Sequence, residues 1–98
     1  MAFAVQFAPE ADNHFRSLRK RDQQILLDAI EVQLVHAPDT ETRNRKLLEK
    51  NSLAPWELRM GKFRVFYEVN QKEQTVTLLA IGQKMHNKLQ INGKDYQL

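Results

Sequence analysis

The residues best placed to do chemistry lie in one run: Trp56-Glu57-Leu58-Arg59-Met60-Gly61-Lys62-Phe63-Arg64-Val65-Phe66-Tyr67-Glu68-Val69. Apolar side chains recur at every second position on either side of Gly61-Lys62, the period of a half-buried strand. Gly at the first central position of a two-residue loop suits a type II′ hairpin turn, because only Gly reaches φ > 0 there without a steric penalty. Folding the run about that turn sets Met60 against Phe63, Leu58 against Val65 and Trp56 against Tyr67 on one apolar face. The opposite face carries Glu57, Arg59, Arg64, Phe66 and Glu68, with Arg59 directly across from Arg64. Like charges in that relation repel. Either the carboxylates of Glu57 and Glu68 compensate them in a solvated salt-bridge face, or a partner brings the anion, phosphate being the one a guanidinium matches best.

The elements around this hairpin follow from changes of period. Ala2 to Phe7 is short and apolar-rich and reads as a strand, with Pro9 opening the next element. From Glu10, Ala11, His14, Phe15 and Leu18 fall at i, i+3, i+4 and i+7, a helical stripe. Arg19-Lys20-Arg21 interrupts it, and Asp22 is a plausible N-cap for a second helix reaching about His36. Ile25, Leu26, Ala29, Ile30, Gln33 and Leu34 form its apolar face, and Pro38 stops it. His14 is read as a packed or partly exposed histidine, and His36 as a cation complementing the second helix's C-terminal dipole. No histidine pair has metal-ligand spacing and no carboxylate cluster supports one, so no metal is expected.

Asp39 to Asn51 reads as a linker, with Leu47-Leu48 anchoring it to the core. Its Arg43, Arg45 and Lys46 could track a phosphate backbone or simply be solvated. Asn70-Gln71-Lys72-Glu73 is a polar turn, and Gln74 to Ile81 returns as a third strand. With a four-residue loop, Leu79 lies beside Arg64 and Ile81 beside Lys62. The non-core face then mixes Phe66, Leu79 and Ile81 with Arg59, Lys62 and Arg64. An apolar and cationic surface of that kind suits stacking a base while holding its phosphates, or docking an acidic amphipathic peptide. Gly82 to Lys88 adds Lys84, His86 and Lys88 at the mouth of the strand. In the tail, Asn92-Gly93 is a strong type I′ signal with alternation on both sides, predicting a small terminal hairpin that needs a larger surface to pack on.

The 98 residues suit one domain, 1–98. Hydrophobic residues make up 42% and charged residues 28%, the balance of a globular domain. No apolar run approaches the roughly 18 residues a membrane span needs, and the first residues lack the basic region of a signal peptide. Cysteine is absent, which excludes disulfides, Cys-ligated zinc and thiol catalysis, and fits a reducing cytoplasm. The net charge of +3 tilts weakly toward a polyanionic partner.

A strand, two helices and then an antiparallel meander, carrying Leu58, Arg59, Gly61, Phe63, Arg64, Val65, Tyr67, Glu68 and Val69 and ending Ile81-Gly82-x-Lys84, resembles the RelE/ParE toxin superfamily. The resemblance runs from about Ala2 to Lys84. It implies an α+β fold of β-α-α-β-β-β order, two N-terminal helices packed on an antiparallel sheet, with the terminal hairpin added. It also implies a toxin of a type II toxin–antitoxin pair, neutralised by a cognate antitoxin and meeting operator DNA only through that complex. RelE-like members are cytoplasmic, metal-independent endoribonucleases needing no cofactor. They cut mRNA on the ribosome and inhibit translation by attack of a 2′-oxygen on the adjacent phosphate, leaving a cyclic phosphate. Such chemistry needs a base, an acid and cations around the transition state.

Carried over by position, Arg64 matches the arginine that contacts the scissile phosphate. Lys84 matches the basic position after the last strand, and Arg59 one that helps bind RNA. Glu57 and His86 are candidates for base and acid, which completes the catalytic set of Arg64, Lys84, Glu57 and His86. Arg59, Lys62, Arg43, Arg45, Lys46 and Phe66 form the RNA-binding set. RelE's paired second-strand lysines are replaced by Pro55 and Glu57, and its late tyrosine by Gln90. These departures raise the alternative of a ParE-like gyrase poison, or of an inactive member acting only by binding an antitoxin.

Overall fold

The structure, a computed structural model, describes residues 2–97. Its elements are β1 (Ala4–Phe7), α1 (Pro9–Arg16), α2 (Lys20–Leu34), β2 (Arg45–Leu47), β3 (Trp56–Met60), β4 (Phe63–Asn70), β5 (Thr75–Met85), β6 (Lys88–Ile91) and β7 (Lys94–Tyr96). Strands pair in the order β2-β3-β4-β5-β6-β7, with β1 added beside β5. Every pairing is antiparallel except β1 with β5, which is parallel. The expected α+β arrangement, two helices on one face of an antiparallel sheet, is the one observed.

Pro9 occupies the first turn of α1, where its missing N–H costs nothing. Asp22 lies in the first turn of α2 rather than capping it; Arg19 is the N-cap and uses no side-chain bond. At that position the carboxylate complements the helix dipole. The helix stops at Leu34, so His36 lies beyond it. Leu26, Ala29, Ile30 and Leu34 are buried, whereas Ile25, predicted for the same face, is 42% exposed. Leu26, Ile30 and Leu34 pack with Phe3, Trp56, Leu58, Val65, Tyr67 and Leu78 into the main core. The Trp56 and Tyr67 rings stack at 6.0 Å. The buried Tyr67 hydroxyl donates to the Pro38 carbonyl at 2.6 Å, and burial pushes its pKa upward.

The hairpin register is as the alternation predicts: Met60 opposes Phe63, Leu58 opposes Val65, Trp56 opposes Tyr67 and Arg59 opposes Arg64. Gly61 has φ +57, the left-handed value the turn requires. The third strand departs from expectation in two steps. Asn70 pairs with Thr75, so the turn is Gln71 to Gln74, and Gln74 takes φ +54. That two-residue shift of register leaves every side chain on its predicted face. A bulge then intervenes: Tyr67 pairs with Leu78 but Phe66 pairs with Ala80, leaving Leu79 unpaired. One extra residue reverses the phase of the rest of the strand. Ile81 therefore turns inward beside Val65, 3% exposed, and Arg64 pairs with Gly82 rather than lying beside Leu79.

Two further elements were not expected. Arg45–Leu47 of the linker forms a short edge strand on β3. Beyond Ile81, β5 continues to Met85 and turns at His86-Asn87, both at positive φ (50 and 65), into β6. The predicted Asn92-Gly93 turn follows and leads into β7. This terminal ribbon curls over the sheet face that the helices leave open. There Leu89 and Ile91 join Ala54, Phe66 and Ala80 in a second apolar cluster. Gly82 permits the approach, since a Cβ there would sit 2.7 Å from the Gln90 carbonyl oxygen and 2.8 Å from Ile91 Cγ1.

Candidate functional site

Cross-strand pairing sorts the face opposite the helices into rows. Lys46, Glu57, Phe66 and Ala80 form one, and Arg59, Arg64 and Gly82 the next. Lys84, Leu89 and Tyr96 form a third. The facing arginines do not depend on an outside anion. Arg59 Nε donates to Glu57 Oε1 at 2.7 Å, with the Glu57 side chain 8% exposed and that of Arg59 48%. Arg64 Nη1 donates to the carbonyls of Gly61 at 2.7 Å and Phe63 at 2.9 Å. Only that nitrogen of the guanidinium is engaged among the described residues, so the rest of the fork remains available to a ligand.

Glu57 is the one charged residue that the described fold buries. It lines a cleft of about 490 Å³ together with Lys84, Leu89, Asp95 and Tyr96. The cleft exists because the terminal ribbon forms its second wall. Glu57 brings a carboxylate and Lys84 an ammonium to this one cleft, the acceptor and the cation that proton transfer beside a phosphate calls for.

The remaining predicted residues divide. Lys46 is half-buried and shares the row of Glu57. Arg43 is exposed just before β2. His86 sits exposed at the tip of the β5–β6 turn and does not line the cleft. Lys62 reaches the other way, 5.3 Å over the Phe63 ring, and borders a groove of about 650 Å³ with Arg19 and Arg21 at the start of α2. Two expectations are corrected. Phe66 is fully buried under the ribbon and offers no ring for a base. Arg45 lies on the helix side, where Nε donates to Thr40 O at 2.9 Å and Nη1 to the Gln33 carbonyl at 3.0 Å and Oε1 at 2.7 Å. It ties the Gln33 carbonyl at the end of α2 to the Thr40 carbonyl of the following loop and is not offered to a ligand.

Two other residues take roles that no local pattern announces. Tyr96 lies on β7 of the terminal hairpin and lines the cleft with Glu57; alternation alone does not say which surface that hairpin covers. His14 bridges α1 to β5: its Nδ1 accepts a hydrogen bond from the Ile81 N–H at 3.1 Å. Burial lowers its pKa below the usual imidazole value, against an opposing influence from Glu10. Among the described residues, no three His, Cys, Asp or Glu side chains gather as metal ligands.

Residues 5–87 match the family model described as the ParE toxin of the type II toxin–antitoxin system, parDE. Two solved structures share the fold. One is the RelBE2 toxin–antitoxin complex of Mycobacterium tuberculosis, with TM-score 0.73 and 20% identity over 85% of this chain and 99% of that one. The other is the archaeal RelE–RelB complex of Pyrococcus horikoshii OT3, with TM-score 0.68 and 21% identity over 88% and 99%. No curated protein matches the sequence. With a family model spanning the chain from β1 through the β5–β6 turn, this protein belongs to the RelE/ParE superfamily of type II toxin–antitoxin toxins.

Proposed function

We propose that the protein is a metal-independent, ribosome-dependent mRNA endoribonuclease that inhibits translation in the cytoplasm. The observation carrying this reading is the convergence of Glu57 and Lys84 on one cleft, beside the row that holds Arg59 and Arg64. Glu57, held by Arg59, takes the proton of the ribose 2′-hydroxyl. The 2′-oxygen attacks the adjacent phosphorus and the bond to the 5′-oxygen breaks, leaving a 2′,3′-cyclic phosphate and a 5′-hydroxyl. The free donors of Arg64 meet the charge on the phosphorane-like transition state. His86 stands outside the cleft, so Lys84 is assigned the proton that the leaving 5′-oxygen takes. Arg43 and Lys46 lie toward the β2 edge, where they hold flanking phosphates.

The partners that follow are mRNA on the ribosome and a cognate antitoxin that covers this face, as the two structural relatives are toxin–antitoxin complexes. Operator DNA is reached only through such a complex. No membrane is involved in this scheme, and among the described residues no helix is long and apolar enough to cross one.

Induced expression tests the reading. It predicts arrested protein synthesis and new mRNA 5′ ends. The matching family model, described by parDE, favours a second reading, a gyrase poison; a DNA-damage response with intact mRNA would select it. Intact mRNA without that response would leave a member that only binds its antitoxin.

A further inference from the structure

The groove between the α1–α2 turn and the β3–β4 turn has no part in the mechanism above. It holds about 650 Å³, and Leu18, Ile25 and Met60 line it. Leu18 and Met60 are half-buried, and Ile25 is 42% exposed. Arg19, Arg21 and Lys62 line the same groove, all three exposed. Among the described residues none of these cations is in an ion pair, and Asp22 is the one carboxylate in the lining. The cleft on the other face differs, since Glu57 and Asp95 there stand against Lys84 and Lys88. An excess of cations around aliphatic side chains calls for an occupant that is both acidic and apolar. RNA supplies the charge without the apolar face, and the groove offers its bases no ring: Phe63 is 5% exposed, with the Lys62 ammonium 5.3 Å from its centroid.

We propose that this groove anchors the cognate antitoxin through an acidic amphipathic helix. Its aliphatic side chains enter among Leu18, Ile25 and Met60, and its carboxylates meet Arg19, Arg21 and Lys62. The proposal rests on the antitoxin reading above and adds a second place of contact to it. Gly61 joins the two places, because it lines the groove while its carbonyl accepts from Arg64 Nη1. A chain that leaves the groove over this turn comes to Arg64. An anchor outside the cleft makes the affinity for the antitoxin independent of Glu57 and Lys84. It also makes that affinity fall with salt, since the pairing cations are exposed. Ile25, whose spacing put it with the core, finds its apolar partner only in the complex.

The test is a titration of the full-length, ¹⁵N-labelled protein with two synthetic amphipathic helices, one of Leu and Glu and one of Leu and Lys, followed by amide chemical shifts. The Glu peptide is expected to move the amides of Leu18, Ile25, Met60 and Lys62, with the Lys peptide weaker by about tenfold or more. Ile25→Ala, at an exposed position, is expected to weaken the Glu peptide by about tenfold. Arg21→Glu is expected to do the same, and it puts an acid in the first turn of α2, where the helix dipole favours one. Equal binding of the two peptides, unchanged affinity in both variants, or shifts centred on Lys84 and Leu89 would overturn the proposal. So would an oligouridylate that moves the groove amides where the Glu peptide does not, which would give the groove to RNA. Docking of the Glu peptide without growth arrest on induced expression would keep the groove and remove the antitoxin as its occupant; growth arrest without docking would remove the groove and leave the antitoxin reading standing.

Discussion

The two faces of the sheet are covered by different means. On the helix side, Trp56, Leu58, Val65, Tyr67, Leu78 and Ile81 meet α1 and α2 in one continuous core. The arginine that points there, Arg45, has its Nε and Nη1 bonded to acceptors around the end of α2. On the other side a two-stranded ribbon covers only part of the sheet. Under it lie Phe66, Ala80, Leu89 and Ile91, and at its border stand Arg59, Arg64, Lys84 and the buried Glu57. One face is spent on stability; the other divides between a small core and a charged cleft. Charge alone therefore does not mark a functional arginine. What separates Arg64 from Arg45 is which face the register gives it and whether its donors are already used.

The largest effect expected from this contrast is on stability. Phe66 was a candidate for stacking an RNA base, yet it is fully buried. Phe66→Ala is predicted to lower unfolding free energy by about 3–5 kcal/mol, as for core aromatics, measured by urea denaturation. A loss of only about 0.5 kcal/mol, normal for an exposed site, would mean that the ribbon does not seal this face.

The two arginines supply a reciprocal test. Arg64→Ala is predicted to reduce mRNA cleavage by roughly 10²–10³-fold, the cost of losing one transition-state donor, with Tm held within about 4 °C. Arg45→Ala is predicted to do the opposite, lowering stability by about 1–3 kcal/mol through the carbonyls it leaves unpartnered while the folded fraction still cleaves. If both variants lose stability and activity together, the division between the faces fails.

A smaller effect probes the ribbon itself. Gly82→Ala places a methyl 2.7 Å from the Gln90 carbonyl oxygen, a backbone atom that cannot rotate away. A loss of about 1–3 kcal/mol is expected, with faster hydrogen exchange at Leu89 and Ile91 but not at Leu58 or Val65. Uniform acceleration across both faces would show that the ribbon does not open separately.

The same contrast governs what was legible in the sequence. Period-two alternation with one interrupting Gly sufficed for the β3–β4 register and so for the facing arginines, because a single turn fixes every pair. The Asn92-Gly93 turn was legible for the same local reason. The bulge was not: Leu78-Leu79-Ala80-Ile81 is apolar throughout, so neither phase conflicts with burial. Arg45–Leu47 is too short to show a period, and its pairing with β3 crosses the intervening loop. The burial of Phe66 depended on where the ribbon lands, and Gly82 was the one local sign of a close crossing. Residues whose roles are set by distant contacts carry no mark in their neighbours, and His14, paired to a backbone amide 67 positions away, is one of them.

His14 also gives the smallest prediction. It accepts the Ile81 N–H through Nδ1, so the neutral ring, with its proton on Nε2, is the form that fits. Its folded pKa is lowered chiefly by burial, while the unfolded chain titrates near about 6.5. The unfolded state therefore binds more protons below that value, and stability must fall as pH drops from about 6.5 through the folded pKa. Above it the contribution is fully present. The imidazole is only partly shielded from water, so the loss is under about 1 kcal/mol. It reads out as a difference between urea midpoints at pH 8 and pH 5, larger in the unaltered protein than in His14→Gln, which keeps an acceptor but does not titrate. Since α1 and β5 belong to the helix side, the loss should accelerate exchange at Ile81 and leave the ribbon amides as they were. Parallel pH profiles for the two proteins would show that the bridge between α1 and the bulged strand does not depend on the protonation of this ring.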